Sequence, residues 1–175
     1  GVSFHRFNWK YGEKDSQSNV SCERSDVSWS IGRNVLFDSI CNNLQKGDYI
    51  IFADDDVAFL EVTVSRAIKI IEDMLLKYQP TCAVLQSDLW HSSTFHRGLR
   101  RVFKREVYPI FLADLNLTIY RVDFAKVIFP ALYDGGHGTL WYPFIMNHVL
   151  TGSGGLCIGN VEISNMRHDT NGDYG

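Results

Sequence analysis

The stretch Tyr49-Ile50-Ile51-Phe52-Ala53, followed at once by Asp54-Asp55-Asp56, limits the folds open to this chain more than any other feature. Five consecutive apolar residues with two β-branched positions are too few for a helix. They suit a strand covered on both faces. Three carboxylates directly after it cannot continue into a core. Two like charges ~4 Å apart repel by about 4 kcal/mol at an effective dielectric of about 20. A divalent cation removes that cost, and Mg2+ or Mn2+ takes hard oxygen ligands and commonly bridges carboxylates to substrate phosphates. In an extended segment residues 54 and 56 point one way and residue 55 the other. Asp54 and Asp56 can therefore address one ligand while Asp55 orients the loop. The plainer alternative is a solvated turn with a helix-capping Asp.

The elements around this block alternate in type. Val2 to Asn8 reads as a strand, and residues 12–28 read as loop. Ser30 is placed to cap a helix running to about Gln45, with Ile31, Val35, Leu36, Ile40 and Leu44 as its apolar stripe and Gly47 as its stop. After the acids comes a long helical pattern at about 60–78, with Ile68, Ile71, Leu75 and Leu76 on one side and Pro80 beyond. Ala83 to Gln86 reads as a buried strand, 110–121 as one or two strands, and Val122 to Ile128 as a short helix. Asp134 to Gly138 is a glycine-rich loop, a second short helix starts near Pro143, and Leu156 to Ile163 is a last strand. The expected class is α/β with a mostly parallel sheet flanked by helices, in one compact domain over 1–175. In such sheets ligands bind beyond the carboxyl ends of the strands, where the acids sit.

Charge narrows the partners. With 17 basic and 20 acidic residues the net charge is 17 − 20 = −3, which excludes a strongly basic nucleic-acid binder and an acidic disordered tail. No apolar run approaches the ~20 residues of a membrane span, and no signal-peptide pattern opens the chain. The first residues run straight into strand-like sequence, as they would in a domain cut from a longer protein. Cys22, Cys41, Cys82 and Cys157 form no C-x-x-C pair, so a zinc knuckle is not expected. Cys41, Cys82 and Cys157 lie in apolar stretches and read as buried thiols of a reducing compartment, which points to the cytoplasm. The sequons at Asn19 and Asn116 carry little weight beside this.

Gly32-Arg33-Asn34, then Gly47-Asp48 leading into Tyr49–Asp56, resembles the A-R-N … G-D-Y-I-x-F-x-D-x-D-D stretch of GT-A glycosyltransferases, above all the family-2 type. Ile119 to Val127 resembles that family's F-R-R-x-x-F-x-x-V segment, and Val2 to Asn8 its opening strand. The compact size also resembles that of the chlorovirus enzymes that glycosylate a capsid protein. The resemblance implies a GT-A fold with a nucleotide-sugar half at about 1–90, an acceptor half at about 91–165 and a metal and phosphate tail at 165–175. It implies a UDP-sugar donor, a glycan or glycoprotein acceptor and a Mn2+ or Mg2+ cofactor. Asp54 and Asp56 would hold the metal, with His168 as a third ligand; Arg33 and Arg167 would face the donor phosphates. Asp55 would touch a sugar hydroxyl, and Asp26 would read the base.

The chain departs from that pattern where a base is needed. The family places G-E-D or E-D before its second short helix, whereas this chain has Gly136-His137-Gly138-Thr139. The nearest substitutes are Asp134, His137 and Asp114, and Asp134 is the favoured base because a glycine-rich loop can carry it to the sheet edge. Trp141, beside that loop, is the best candidate for stacking on an acceptor sugar, and 96–105 is a basic run. Mutating Asp54 or Asp56 to Ala is expected to cost little stability, since it relieves repulsion. Two alternatives stay open. The same block resembles the strand-D-x-D start of haloacid-dehalogenase-like phosphatases, although no second acidic pair follows. A Ca2+-dependent carbohydrate-binding module is the other, although EF-hand spacing is absent.

Overall fold

The computed structural model describes residues 2–8, 18, 20–21, 29–87, 106–110, 116–129, 138–152 and 155–165. Two short strands, β1 (Phe7–Asn8) and β2 (Val20–Ser21), pair in parallel near the start. There follow α1 (Trp29–Ile40), a 3-10 turn (Cys41–Asn43), β3 (Tyr49–Ala53), β4 (Val57–Leu60) and α2 (Val64–Tyr78). Then come β5 (Cys82–Ser87), β6 (Val107–Ile110), β7 (Leu117–Arg121), α3 (Val122–Ile128), α4 (Gly138–Thr151) and β8 (Gly155–Asn165).

The main sheet has six strands ordered β3-β7-β5-β8-β4, with β6 also on β8. It is mixed, not mostly parallel. β3–β7, β5–β7, β4–β8 and β6–β8 are antiparallel, and only β5–β8 is parallel. The expectation failed because alternation along the chain says nothing about which later strand wedges between two earlier ones. β3 and β5 do run the same way, but β7 lies between them in the opposite sense.

Helices cover both faces, as period-2 strands with two apolar sides require. Ile50 and Phe52 of β3, Cys82 and Val84 of β5, and Tyr120 of β7 pack with Phe37 of α1 and with Phe124, Ala125 and Ile128 of α3. On the other face Ala83, Leu85, Leu117, Ile119, Ile158 and Ile163 meet Ala67, Ile71 and Leu75 of α2. The helix expected at about 60–78 starts later. Leu60 ends β4, and α2 is capped by Thr63, whose hydroxyl accepts from the Arg66 N–H at 3.4 Å. Gln79 ends it in the left-handed region at φ 45°, just before Pro80. Leu76, expected on the core side, is exposed. Ser30 lies inside α1 and buried rather than at its cap, and only Phe7–Asn8 of the opening segment is strand.

One irregularity shapes the end of the sheet that carries the acids. Leu85 pairs with Ile158, but the next residue, Gln86, pairs with Glu162, so Gly159, Asn160 and Val161 are extra in β8. A flat sheet would hold β3 and β4 four strand spacings apart, about 19 Å. The four residue steps from Ala53 to Val57 span about 14 Å at most. The turn is tighter still, because the Val57 N–H donates to the Asp54 carbonyl at 3.4 Å. The sheet therefore curls at this end, and β8 bends at its extra residues. As a result β4 starts beside the end of β3, and Asn165 at the end of β8 pairs with Val57.

Candidate functional site

β3, β5 and β8 all finish at this edge, and β4 and β7 begin there. Asp54, Asp55 and Asp56 form the connection between β3 and β4. Asp55 is exposed while Asp54 and Asp56 are half-buried; the acids form a turn rather than the extended segment on which the alternation argument relied. The Asp54 N–H donates to the Asn116 carbonyl at 2.9 Å, which ties the turn to the start of β7.

Asp54 has a partner that spacing could not reveal. Arg33, on the first turns of α1, is only 5 % exposed. Its Nη2 donates to Asp54 Oδ1 at 2.9 Å, and its Nη1 donates to the Thr118 hydroxyl at 2.9 Å. The guanidinium also lies 5.4 Å from the centre of the Phe52 ring. Desolvation pulls the Arg33 pKa down from its ordinary value, and the Asp54 charge opposes that shift. Arg is suited to this place because its planar fork holds two acceptors at once.

Asp56 differs. Its Oδ1 is buried and has no hydrogen-bond partner. A buried carboxylate oxygen without a donor is costly, and a hard cation is a group that would satisfy it. Asp54 and Asp56 are thus chemically fit to hold Mg2+ or Mn2+, with Asp54 already facing one positive group. Among the described residues no group of three or more His, Cys, Asp and Glu comes together to hold a metal.

Reading the sequence alone missed a polar row on the same face. Gln86 lies two residues on from Val84, Asn116 two before Thr118, and Asp54 two after Phe52, so all three share the face that Arg33 occupies. Gln86 and Asn116 are both buried, and Glu162 pairs with Gln86. The signal was available as polar residues in phase at the ends of otherwise apolar strands. Burial of Asn116 also sets aside its sequon as a glycan acceptor in the folded chain.

Arg33, Asp54, Asp55 and Asp56 are thus brought to one edge, with Arg33 bonded to Asp54. Asp26, Asp114, Asp134, His137, Arg167 and His168 lie outside the described residues, as does the basic run at 96–105. No described helix is long and apolar enough to cross a membrane. No family model, curated protein or solved structure matches this chain.

Proposed function

We propose that this chain is a metal-dependent glycosyltransferase that moves a sugar from a nucleoside-diphosphate sugar, UDP being the favoured nucleotide, to a glycan or glycoprotein acceptor. The observation that carries the reading is the acidic turn at the carboxyl end of β3, with the Asp56 Oδ1 buried and unsatisfied beside it. Three strand ends meeting at that edge support it, because ligands of open α/β sheets gather there.

Asp54 and Asp56 would hold Mn2+ or Mg2+, with His168 as the further ligand that the resemblance suggests. The cation would act as a Lewis acid on the leaving diphosphate. Arg33 keeps Asp54 in one orientation through the bond to its Oδ1. Asp55, exposed between the two, would meet a donor hydroxyl. Arg167 would bind a phosphate oxygen, and Asp26 the base. Asp134, with His137 beside it in the sequence, is the proposed base for the acceptor hydroxyl. Pairing of Asn165 with Val57 supports the part given to Arg167 and His168, since the chain leaves β8 next to the acidic turn.

Titration calorimetry with UDP tests this directly. Binding should require Mn2+ and should vanish in Asp56→Ala, while the melting temperature of that variant stays at or above that of the parent. UDP binding that ignores both metal and Asp56 would defeat the assignment. Trapping of a phosphate analogue at Asp54 would point to a phosphatase, and Ca2+-dependent binding of free sugar without nucleotide to a lectin-like module.

A further inference from the structure

Strand β3 is composed like an interior strand yet stands at the edge of its sheet. Its five residues carry no charge and no proline, and its pairing has no bulge. Those are the devices that ordinarily guard an open edge. Among the described residues β3 pairs with β7 alone. The phase of that ladder follows from the two bonds that flank it: Asp54 N–H to the Asn116 carbonyl, and Val122 N–H to the Asp48 carbonyl, both 2.9 Å. Bonded positions alternate in an antiparallel ladder. Ile50 and Phe52 therefore direct their backbone groups to β7, and Tyr49, Ile51 and Ala53 direct theirs outward. Ile51 is 42 % exposed and Ala53 is exposed too. Carboxylates stand at both ends of this edge, the exposed Asp48 at one and the exposed Asp55 of the acidic turn at the other.

We propose that the outer edge of β3 takes an added strand from another protein, an extended apolar segment flanked by Lys or Arg. The N–H and C=O groups of Tyr49, Ile51 and Ala53 supply the backbone bonds. Asp48 and the acidic turn receive the flanking cations. A second copy of this chain fits badly on charge. Antiparallel self-pairing about Ile51 would set Asp48 against Asp54 of the copy at both ends, and parallel self-pairing would set each acid beside itself. The backbone part of the inference stands apart from sugar transfer; at the Asp55 end the added strand would share the acidic turn with the proposed metal and donor.

Residue-resolved amide exchange of the full chain tests it, with two synthetic peptides as probes. Both alternate valine and threonine; one carries lysine at each end and the other glutamate. In the free protein Tyr49, Ile51 and Ala53 amides should exchange faster than those of Ile50 and Phe52. The lysine-ended peptide should slow exchange at Tyr49, Ile51 and Ala53 and bind about tenfold more tightly than the glutamate-ended one, the size expected for two exposed ion pairs. Ile51→Pro should abolish binding while Ile50 and Phe52 stay protected, because the amide it removes is not part of the β7 ladder. Should that variant unfold, the protection pattern of the parent protein decides alone. The proposal fails if neither peptide slows those amides, if both bind equally, or if binding survives Ile51→Pro. It fails equally if the same amides become protected by self-association without peptide.

Discussion

Two arginine–aspartate pairs sit at opposite ends of the β3–β7 ladder, and they share chemistry but not circumstances. Arg33–Asp54 joins residues far apart in the chain, with side chains 6 % and 29 % exposed. Arg121–Asp123 is local and open, at 28 % and 34 %. Its guanidinium grips both carboxylate oxygens, with Nε to Oδ1 at 2.6 Å and Nη2 to Oδ2 at 3.0 Å. The second pair sits at the start of α3, where the Asp123 oxygen in the first turn also accepts the Phe124 N–H at 3.0 Å. Water and salt can replace most of what it offers. The first pair cannot be replaced so simply, because Arg33 has almost no water around it. Geometry alone would rank the exposed pair higher, and burial reverses that ranking.

The sharpest way to break the comparison is to remove one member of the buried pair. Asp54→Asn should destabilise the fold by about 3 kcal/mol in a urea melt, the low end for stranding a buried partner because Asp54 keeps some water. Replacing both charges, Arg33→Met with Asp54→Leu, should recover most of that loss, since no charge is then left stranded. Equal losses in the single and double variants would show that the two residues are not coupled. That pairing argues against the expectation that deleting Asp54 merely relieves repulsion; for Asp56, whose buried oxygen has no such partner, the expectation stays a prediction.

At the open pair the effect should be smaller and should depend on pH. Asp123→Asn should cost under about 1 kcal/mol at neutral pH. The Arg121 hydrogen bonds hold the Asp123 carboxyl below its ordinary value. A depressed carboxyl contributes stability above the unfolded value, about 3.9, and loses it as pH falls through the folded one. The gap between parent and variant should close below about pH 4, and a gap that persists at pH 2 would assign the effect to packing.

The smallest expected effect concerns the thiols. Burial raises the Cys82 thiol well above its ordinary value and pushes Cys157 up to about 12. Under native conditions a maleimide should label half-buried Cys41 well before Cys82 and Cys157, which should wait until the chain unfolds. Labelling of Cys157 at the rate of Cys41, read by peptide mapping, would mean that β8 opens locally.

Local pattern carried much of the fold. Tyr49–Ala53 and Val122–Ile128 have the bounds that the residues suggest, because an apolar run acts over a few positions. The buried thiols at Cys82 and Cys157 were equally legible in their apolar surroundings, whereas Cys41, expected buried with them, is half-buried. The strand at Val57–Leu60 was not, since four apolar residues between an acidic run and a helical pattern show no alternation that marks a strand.

From the amino-acid order alone came the strand-ending acids and the helices that flank the sheet. Only the tertiary structure set β7 against the grain between β3 and β5, left β3 at an edge and sealed Arg33 against Asp54. The reason is physical. Periodicity and capping depend on neighbours within a turn or a strand. Strand order and buried ion pairs depend on contacts across many residues, where loop closure, desolvation and packing compete and no short motif records the result.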